Sequence, residues 1–237
     1  MGEKKTKHEV INTLNNFLSG NQIRELYAQP FINWSGKTTD TNEYYTEVLA
    51  YELFKYLDDF NSMPVIMRNS SYKVDSHFPI QIDTTNRKEE IFAKRITGIE
   101  IDDLGEILDY QIPLKNKQDD KAGKIDLVSL HKERNTFHVI ELKVEDNKET
   151  LLRAVLETYT YFKTVNRTRL LQDFNVDESV EVIPTVLVYD SENCNACCEL
   201  EDMYMNGNRP MLKALSLAMG IEFYSINLGS CTRQYEL

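Results

Sequence analysis

Three charged side chains stand on two neighbouring apolar stretches: KIDLVSL carries Asp126, and FHVIELKV carries Glu141 and Lys143. In an extended strand, successive side chains point to opposite faces. Phe137, Val139, Glu141 and Lys143 therefore share one face, and His138, Ile140, Leu142 and Val144 share the other. Asp126 shares its face with Val128 and Leu130. A carboxylate on a face that otherwise reads as core is costly unless it is paired or binds a metal. Two carboxylates brought together repel, and a divalent cation relieves the repulsion. Hard oxygen donors suit Mg²⁺ or Mn²⁺. Lys143 projects from the same face as Glu141, where an ammonium can meet a phosphate or the water that attacks it. Glu-x-Lys alone is a common tripeptide and usually marks an exposed ion pair at a strand end. Its weight comes from the Asp strand before it, the short turn at 131–135 and the helical pattern that follows.

The elements that must position these residues are legible as periodicity. Residues 5–19 read as an amphipathic helix with Val10, Ile11, Leu14, Phe17 and Leu18 on one face, ended by Gly20. Residues 41–60 read as a strong helix, capped by Thr41 or Asn42, with a stripe of Tyr45, Val48, Leu49, Leu53, Tyr56 and Phe60. Residues 63–83 have strand character with a proline near each end, and 87–97 suit a short helix. Strands are expected at 106–114, 124–130 and 136–144, a second long helix at 149–166, and a buried strand at 181–189 in which Pro184 marks an edge or bulge. A helix at 209–219, stopped by Gly220, and a strand at 221–228 complete the pattern. Three strands with short loops form a meander. The helix between 136–144 and 181–189 makes a crossover, which implies parallel pairing. The expected fold is α/β, with a mixed sheet flanked by helices on both faces. One domain is expected over 1–237, its core at about 40–190, with an insertion at 61–105 and a helix–strand extension at 199–230.

In this order the residues resemble the PD-(D/E)XK nuclease-like superfamily, whose restriction-endonuclease-like core is αβββαβ. That superfamily has an acid on its second core strand and (D/E)-x-K on its third. Asp126 matches the first acid, Glu141 the second and Lys143 the lysine; Ile125 stands where the name-giving proline would be. The resemblance implies a further Glu from the first core helix. Glu43 and Glu47, one turn apart within 41–60, fit that place, with Glu47 ranked first and Glu52 also considered. After Glu-x-Lys, Ala154, Glu157 and Tyr161 share one helical face, similar to the small residue, Gln or Glu, then Tyr of many members. An ordinary face packed on the sheet explains that trio equally well. DYQIPLKN resembles the first core strand, and Gln111 would be a polar member of the site.

The implied activity is that of a Mg²⁺-dependent nuclease, a hydrolase of phosphodiester bonds with DNA as the expected substrate and RNA as the alternative. Asp126 and Glu141, helped by the Leu142 carbonyl, would hold one or two Mg²⁺ or Mn²⁺ ions. Lys143 would position water and offset charge on the phosphate, and Glu47 or Glu43 would complete the metal shell. Tyr161 would touch the phosphate backbone or brace Lys143. Many nucleases of this class act as homodimers, so that two sites cut two strands. The competing reading is a catalytically silent nuclease-like module that binds nucleic acid or a protein partner, because fold and function separate readily.

Composition limits these readings. Hydrophobic residues make up 41% of the chain, enough for a core, and the net charge is −11. Nucleic-acid contact must then come from local basic patches. Lys115, Lys117, Lys121 and Lys124 form one candidate, and Lys163, Arg167 and Arg169 another. No apolar run reaches the length of a membrane span, and MGEKKTKHEV lacks an apolar signal region, so a cytoplasmic location is expected. Cys194, Cys197, Cys198 and Cys231 include a CxxC spacing that raises the question of zinc, but no second CxxC pair accompanies it. GxGxxG, GxxxxGK and GxSxG are all absent, so no residue is assigned to an organic cofactor. His138, on an apolar strand face, reads as a satisfied core histidine.

Overall fold

The alternating apolar stretches after Ile99 build one mixed sheet. Its strands are β1 (Glu100–Ile101), β2 (Gly105–Pro113), β3 (Lys124–His131), β4 (Thr136–Lys143), β5 (Glu181–Tyr189), β6 (Glu222–Asn227) and β7 (Ser230–Tyr235), side by side in chain order. β1 to β4 pair antiparallel, β4, β5 and β6 pair parallel, and β7 returns antiparallel to β6. The computed structural model describes residues 4–20, 22–115, 123–227 and 230–235. The helices among these are α1 (Lys7–Leu18), α2 (Tyr45–Leu53), α3 (Leu57–Asn61), α4 (Lys88–Ile96), α5 (Leu151–Thr164), α6 (Arg167–Asp173), α7 (Asn195–Met205) and α8 (Pro210–Ala218).

The period-2 pattern of the strands sorts their side chains onto two covered faces. Leu127, Ile140, Leu142, Leu187 and Tyr224 pack with Phe92, Ala93 and Ile96 of α4. Phe137 and Val139 meet Tyr161 of α5 on the opposite face, and Val186 and Val188 meet Leu152, Val155 and Tyr159. The Thr150 hydroxyl accepts from the Arg153 N–H and so caps α5. Midway along that helix, the Thr158 hydroxyl lies 3.1 Å from the Val139 carbonyl and 3.2 Å from that of Thr185, tying the crossover helix to both strands it joins. His138 is buried and bonded to the Thr185 hydroxyl at 2.9 Å. Burial pulls its pKa down to about 4, so it is neutral, as a core histidine should be. Pro184 lies on an interior strand, but β6 joins β5 only from Thr185 onward, so the missing N–H falls where one flank has no neighbour.

Four expectations change. The helix at 41–60 is broken, with a 3₁₀ turn at Phe54–Tyr56 between α2 and α3. Residues 63–83 form no strand; their only regular pieces are 3₁₀ turns at Asp75–His77 and Ile82–Thr84. This stretch is held by side chains instead of a ladder: the Tyr72 N–H donates to Asp173 at 2.7 Å, and His77 meets Asp109 at 2.7 Å while stacking on Tyr110. The segment expected as an insertion contains α4, which packs directly on the meander. α6, α7 and β7 add elements that periodicity did not indicate.

The N-terminal turn of α2 faces α8, not the end of the meander. Glu47 is buried, and its two oxygens accept the Met211 and Leu212 N–H groups at 2.9 and 2.8 Å, closing the N-terminus of α8. Glu43 pairs with Lys7 at 2.9 Å and Glu52 with Lys55 at 2.6 Å. None of the three joins the residues of β3 and β4. Glu47→Ala, which orphans two backbone donors, is expected to lower unfolding stability by about 1–3 kcal/mol. Glu43→Ala should stay within about 0.5 kcal/mol of wild type. Urea denaturation followed by circular dichroism reads both; equal, small effects would show that Glu47 does not anchor α8.

Candidate active site

The site forms where β3 and β4 part. Their ladder runs from His131↔Thr136 to Leu127↔Ile140. One residue beyond it, the Asp126 carboxylate takes the place of a backbone acceptor, and its Oδ2 receives the Leu142 N–H at 3.0 Å. The tip of β4 stays in place because Glu141, Leu142 and Lys143 still pair with Val186, Leu187 and Val188 of β5. On the β2 side, Gln111 sits between the Tyr110↔Leu127 and Ile112↔Ile125 pairs with φ +48°. A non-glycine residue in that left-handed region is uncommon and strained. The twist brings the Gln111 amide to Asp126, where Nε2 donates to Oδ1 at 2.8 Å.

Lys143 is buried, and carboxylates from three places surround its ammonium. Nζ donates to Glu141 at 2.7 Å and to Glu149, in the loop after β4, at 2.6 Å; Glu157 of α5 lies 3.7 Å away. Arg153 pairs with Glu149 at 2.9 Å and approaches Glu157 at 3.8 Å. Glu89, at the start of α4, accepts from the Asn147 side chain at 3.1 Å and lies within the field of Lys143. Five carboxylates (Asp126, Glu141, Glu149, Glu157, Glu89) thus face two cations, Lys143 and Arg153.

Burial and this excess of acid set the protonation states. Burial pushes the Asp126 carboxyl up to about 7, against the pull of Lys143 and the Leu142 N–H. Burial, then repulsion from Asp126 and Glu157, lifts Glu141 well above the usual carboxylate range. Burial disfavours the Lys143 ammonium, but Glu141, Glu157, Glu149 and Asp126 outweigh it and raise its pKa well above that of a free lysine. Glu149 is also desolvated, yet Lys143 and Arg153 hold it below its ordinary value.

Two tyrosines close the cluster toward α5. The Tyr161 hydroxyl donates to Glu157 at 2.8 Å and lies 3.3 Å from the Tyr27 hydroxyl, with the rings edge to face. Gly123 leaves room for that hydroxyl; a Cβ there would lie 2.0 Å from it. A cavity of about 230 Å³, lined by Arg24, Tyr27, Leu114, Gly123 and Tyr161 among others, opens beside this pair.

Asp126, Glu141, Lys143 and Tyr161 therefore come together, Tyr161 through Glu157. Leu142 takes part through its backbone, since its side chain packs on the α4 face. Glu43 and Glu47 lie elsewhere. Besides α5, the helix that comes near the site is α4, through Glu89, and the loop acid Glu149 was also unforeseen. Glu89 opens the helical pattern nearest the meander in sequence, which was the available signal. Glu149 had none beyond its nearness to Lys143.

The donor set is all oxygen, and its carboxyl groups outnumber its cations, which fits a hard divalent cation that would displace their protons. Asp126 and Glu141 would hold it, with Glu141 exchanging part of its contact with Lys143. The basic patches are less open than the sequence suggests. Arg169 donates to the carbonyls of Arg68 and Asn69, Arg167 stacks on Phe162 at 3.8 Å, and Lys163 donates to Asn61. Lys117 and Lys121 lie outside the described residues. No helix among the described residues is long and apolar enough to cross a membrane. Comparison of the chain with protein-family models, with curated proteins and with solved structures gives no match.

A carboxyl whose folded pKa lies above its unfolded value stabilises the fold fully below the unfolded pKa, and that contribution is lost as pH rises through the folded one. Asp126, at about 7 against an ordinary 3.8, places that window between roughly pH 4 and 7. Without divalent metal, stability should fall across this window with a contribution of up to about 1.4 kcal/mol per pH unit for one proton. Asp126→Asn should flatten that slope. Urea midpoints measured across the window in EDTA test this; parallel curves for the two proteins would remove Asp126 as the titrating group.

Proposed function

We propose that the protein is a metal-dependent nuclease whose Asp126, Glu141 and Lys143 act on a phosphodiester bond. One observation carries the reading: these three residues meet in a buried, acid-rich cluster at the splayed end of two strands. The order α4, β2, β3, β4, α5, β5 supports a restriction-endonuclease-like αβββαβ core, with α4 as its first helix in place of residues 41–60. DNA is the proposed substrate and RNA the alternative.

The chemistry that Mg²⁺ or Mn²⁺ supplies at such carboxylates is polarisation of phosphate oxygens and activation of water. The chain's own residues do the rest. Lys143 stays an ammonium, because its carboxylates favour the charged form. It is therefore a poor base in the resting state and serves to orient water and to offset charge growing on the phosphate. Glu157 holds Lys143 from the α5 side, and Tyr161 fixes Glu157. Gln111 and the Leu142 N–H hold the Asp126 carboxylate in one orientation.

The second reading is a catalytically silent module that binds nucleic acid or a protein partner. It draws on the net charge of −11 and on the full pairing of Lys143 with the chain's own acids. Plasmid, linear duplex, single-stranded DNA and RNA incubated with Mg²⁺ or Mn²⁺ separate the two. Under the nuclease reading, Lys143→Met lowers cleavage by at least about 100-fold, the scale of losing one preorganised electrostatic donor. EDTA should abolish cleavage, and circular dichroism of Lys143→Met should match wild type. Full activity in Lys143→Met would end this mechanism. No cleavage of any substrate by folded, metal-loaded protein would favour the silent module.

A further inference from the structure

Away from the Lys143 cluster, three metal-competent side chains converge on one spot. Asp190 directly follows β5, and Cys197 and Glu201 stand four residues apart on α7, on one helical face. One ligand atom of each lies within 4.8 Å of the others, and among the described residues no other trio of His, Cys, Asp or Glu does this.

Neither the Asp190 nor the Glu201 carboxylate has a hydrogen-bond or ion-pair partner among the described residues. Their neighbours on α7 behave differently: Glu199 and Asp202 meet Arg209 at 3.5 and 3.2 Å. Cys197 is only 1% exposed and its thiol is free, though it lies beside two solvent-facing carboxylates. Burial, with Cys194, Glu201 and Asp190, pushes that thiol up to about 12 against the pull of the Ser191 N–H. The spot therefore gathers three anion-forming groups with no cationic partner among the described residues.

We propose that Asp190, Cys197 and Glu201 bind a divalent, thiophilic metal ion of the Zn²⁺ class. A sulfur with two carboxylate oxygens suits a borderline-soft ion, whereas Mg²⁺ and Ca²⁺ take oxygen alone. Three protein ligands leave a fourth position for water. On binding, the Cys197 S–H bond breaks, the sulfur's electron pair goes to the metal, and the proton leaves to solvent.

The ligand set is not the CxxC pair that the sequence advertises. The Cys194 thiol points to the Lys143 carbonyl at 3.7 Å and the Cys198 thiol to the Glu192 carbonyl at 3.3 Å. The Cys231 side chain lies outside the described residues. An ion at this place would pin α7 to the end of β5. The first residue of α7, Asn195, donates through its N–H to the Asn147 carbonyl at 2.9 Å and through its amide to the Glu149 carbonyl at 3.1 Å. The proposed role is structural: the ion would hold α7 and, through Asn195, the loop that carries Glu149.

Titration of the full, chelator-stripped, reduced chain with Co²⁺ tests the site. The expected result is one thiolate-to-cobalt charge-transfer band, saturating at one Co²⁺ per chain and erased by Zn²⁺, with a higher melting temperature in Zn²⁺. Cys197→Ser should abolish the band. Glu201→Gln and Asp190→Asn should weaken Co²⁺ binding by about tenfold or more, the scale already seen for outer-shell losses. Asp126→Asn, Cys194→Ser and Cys198→Ser should keep the band, which separates this ion from any ion at the Lys143 cluster. If Cys197→Ser fails to fold, the two exposed carboxylates decide the matter. No band in wild type, a band that survives Cys197→Ser, or unchanged affinity in both carboxylate variants would overturn the proposal.

Discussion

A buried ammonium must be surrounded by acids, and the acids that surround Lys143 outnumber the cations near them. This one electrostatic constraint organises much of the molecule. β4 supplies Glu141 and Lys143 from the same face, the following loop supplies Glu149, and α5 supplies Glu157. Each acid shields the lysine from the cost of leaving water, and each is itself costly unless the lysine or another cation stays close. The surplus of carboxyl groups over cations falls on Asp126 and Glu141, whose protons are correspondingly hard to remove.

The backbone is shaped around the same point. Antiparallel pairing continued past Leu127↔Ile140 would fill the space with main-chain hydrogen bonds. Instead the Leu142 N–H turns to a side chain, and Gln111 adopts a left-handed conformation to reach the other oxygen of that side chain. The strands open at the end where β4 is still held by β5. Rigidity on one side and an open flank on the other let a buried carboxylate be positioned without a continuous ladder.

Carboxylates serve three distinct purposes in this chain, and their partners tell them apart. Glu47 and Glu199 accept backbone N–H groups at helix starts, those of Met211 and Leu212 for the first and that of Leu151 for the second. Asp126 and Glu141 are set against a lysine and each other. Asp190 and Glu201 face the Cys197 thiol. Residue type is the same throughout; the supply of donors differs. The first kind stabilises helix packing; the second is the basis of the proposed chemistry and the third of the proposed metal site.

The chain's own pattern determined the meander, the crossover helix and the parallel return. Period-2 alternation and short turns leave few other ways to bury those faces, and the register of β4 follows from its apolar side chains. It also placed Asp126, Glu141 and Lys143 on adjoining strands, because strand faces are a local property. Only the tertiary structure decided which acids join them. Glu47 looked suitable because it stands on a strong helix, but that helix packs on α8, and its carboxylate is consumed by the Met211 and Leu212 N–H groups. Glu89 and Glu149 reach Lys143 through the packing of α4 on the sheet and the path of one loop, and neither leaves a periodic trace. The cysteines show the same limit: CxxC spacing pointed to Cys194 with Cys197, whereas helix α7 turns Cys197 toward Asp190 and Glu201. Periodicity reports which face a side chain takes; which distant group it meets depends on long-range packing, where sequence separation carries no information.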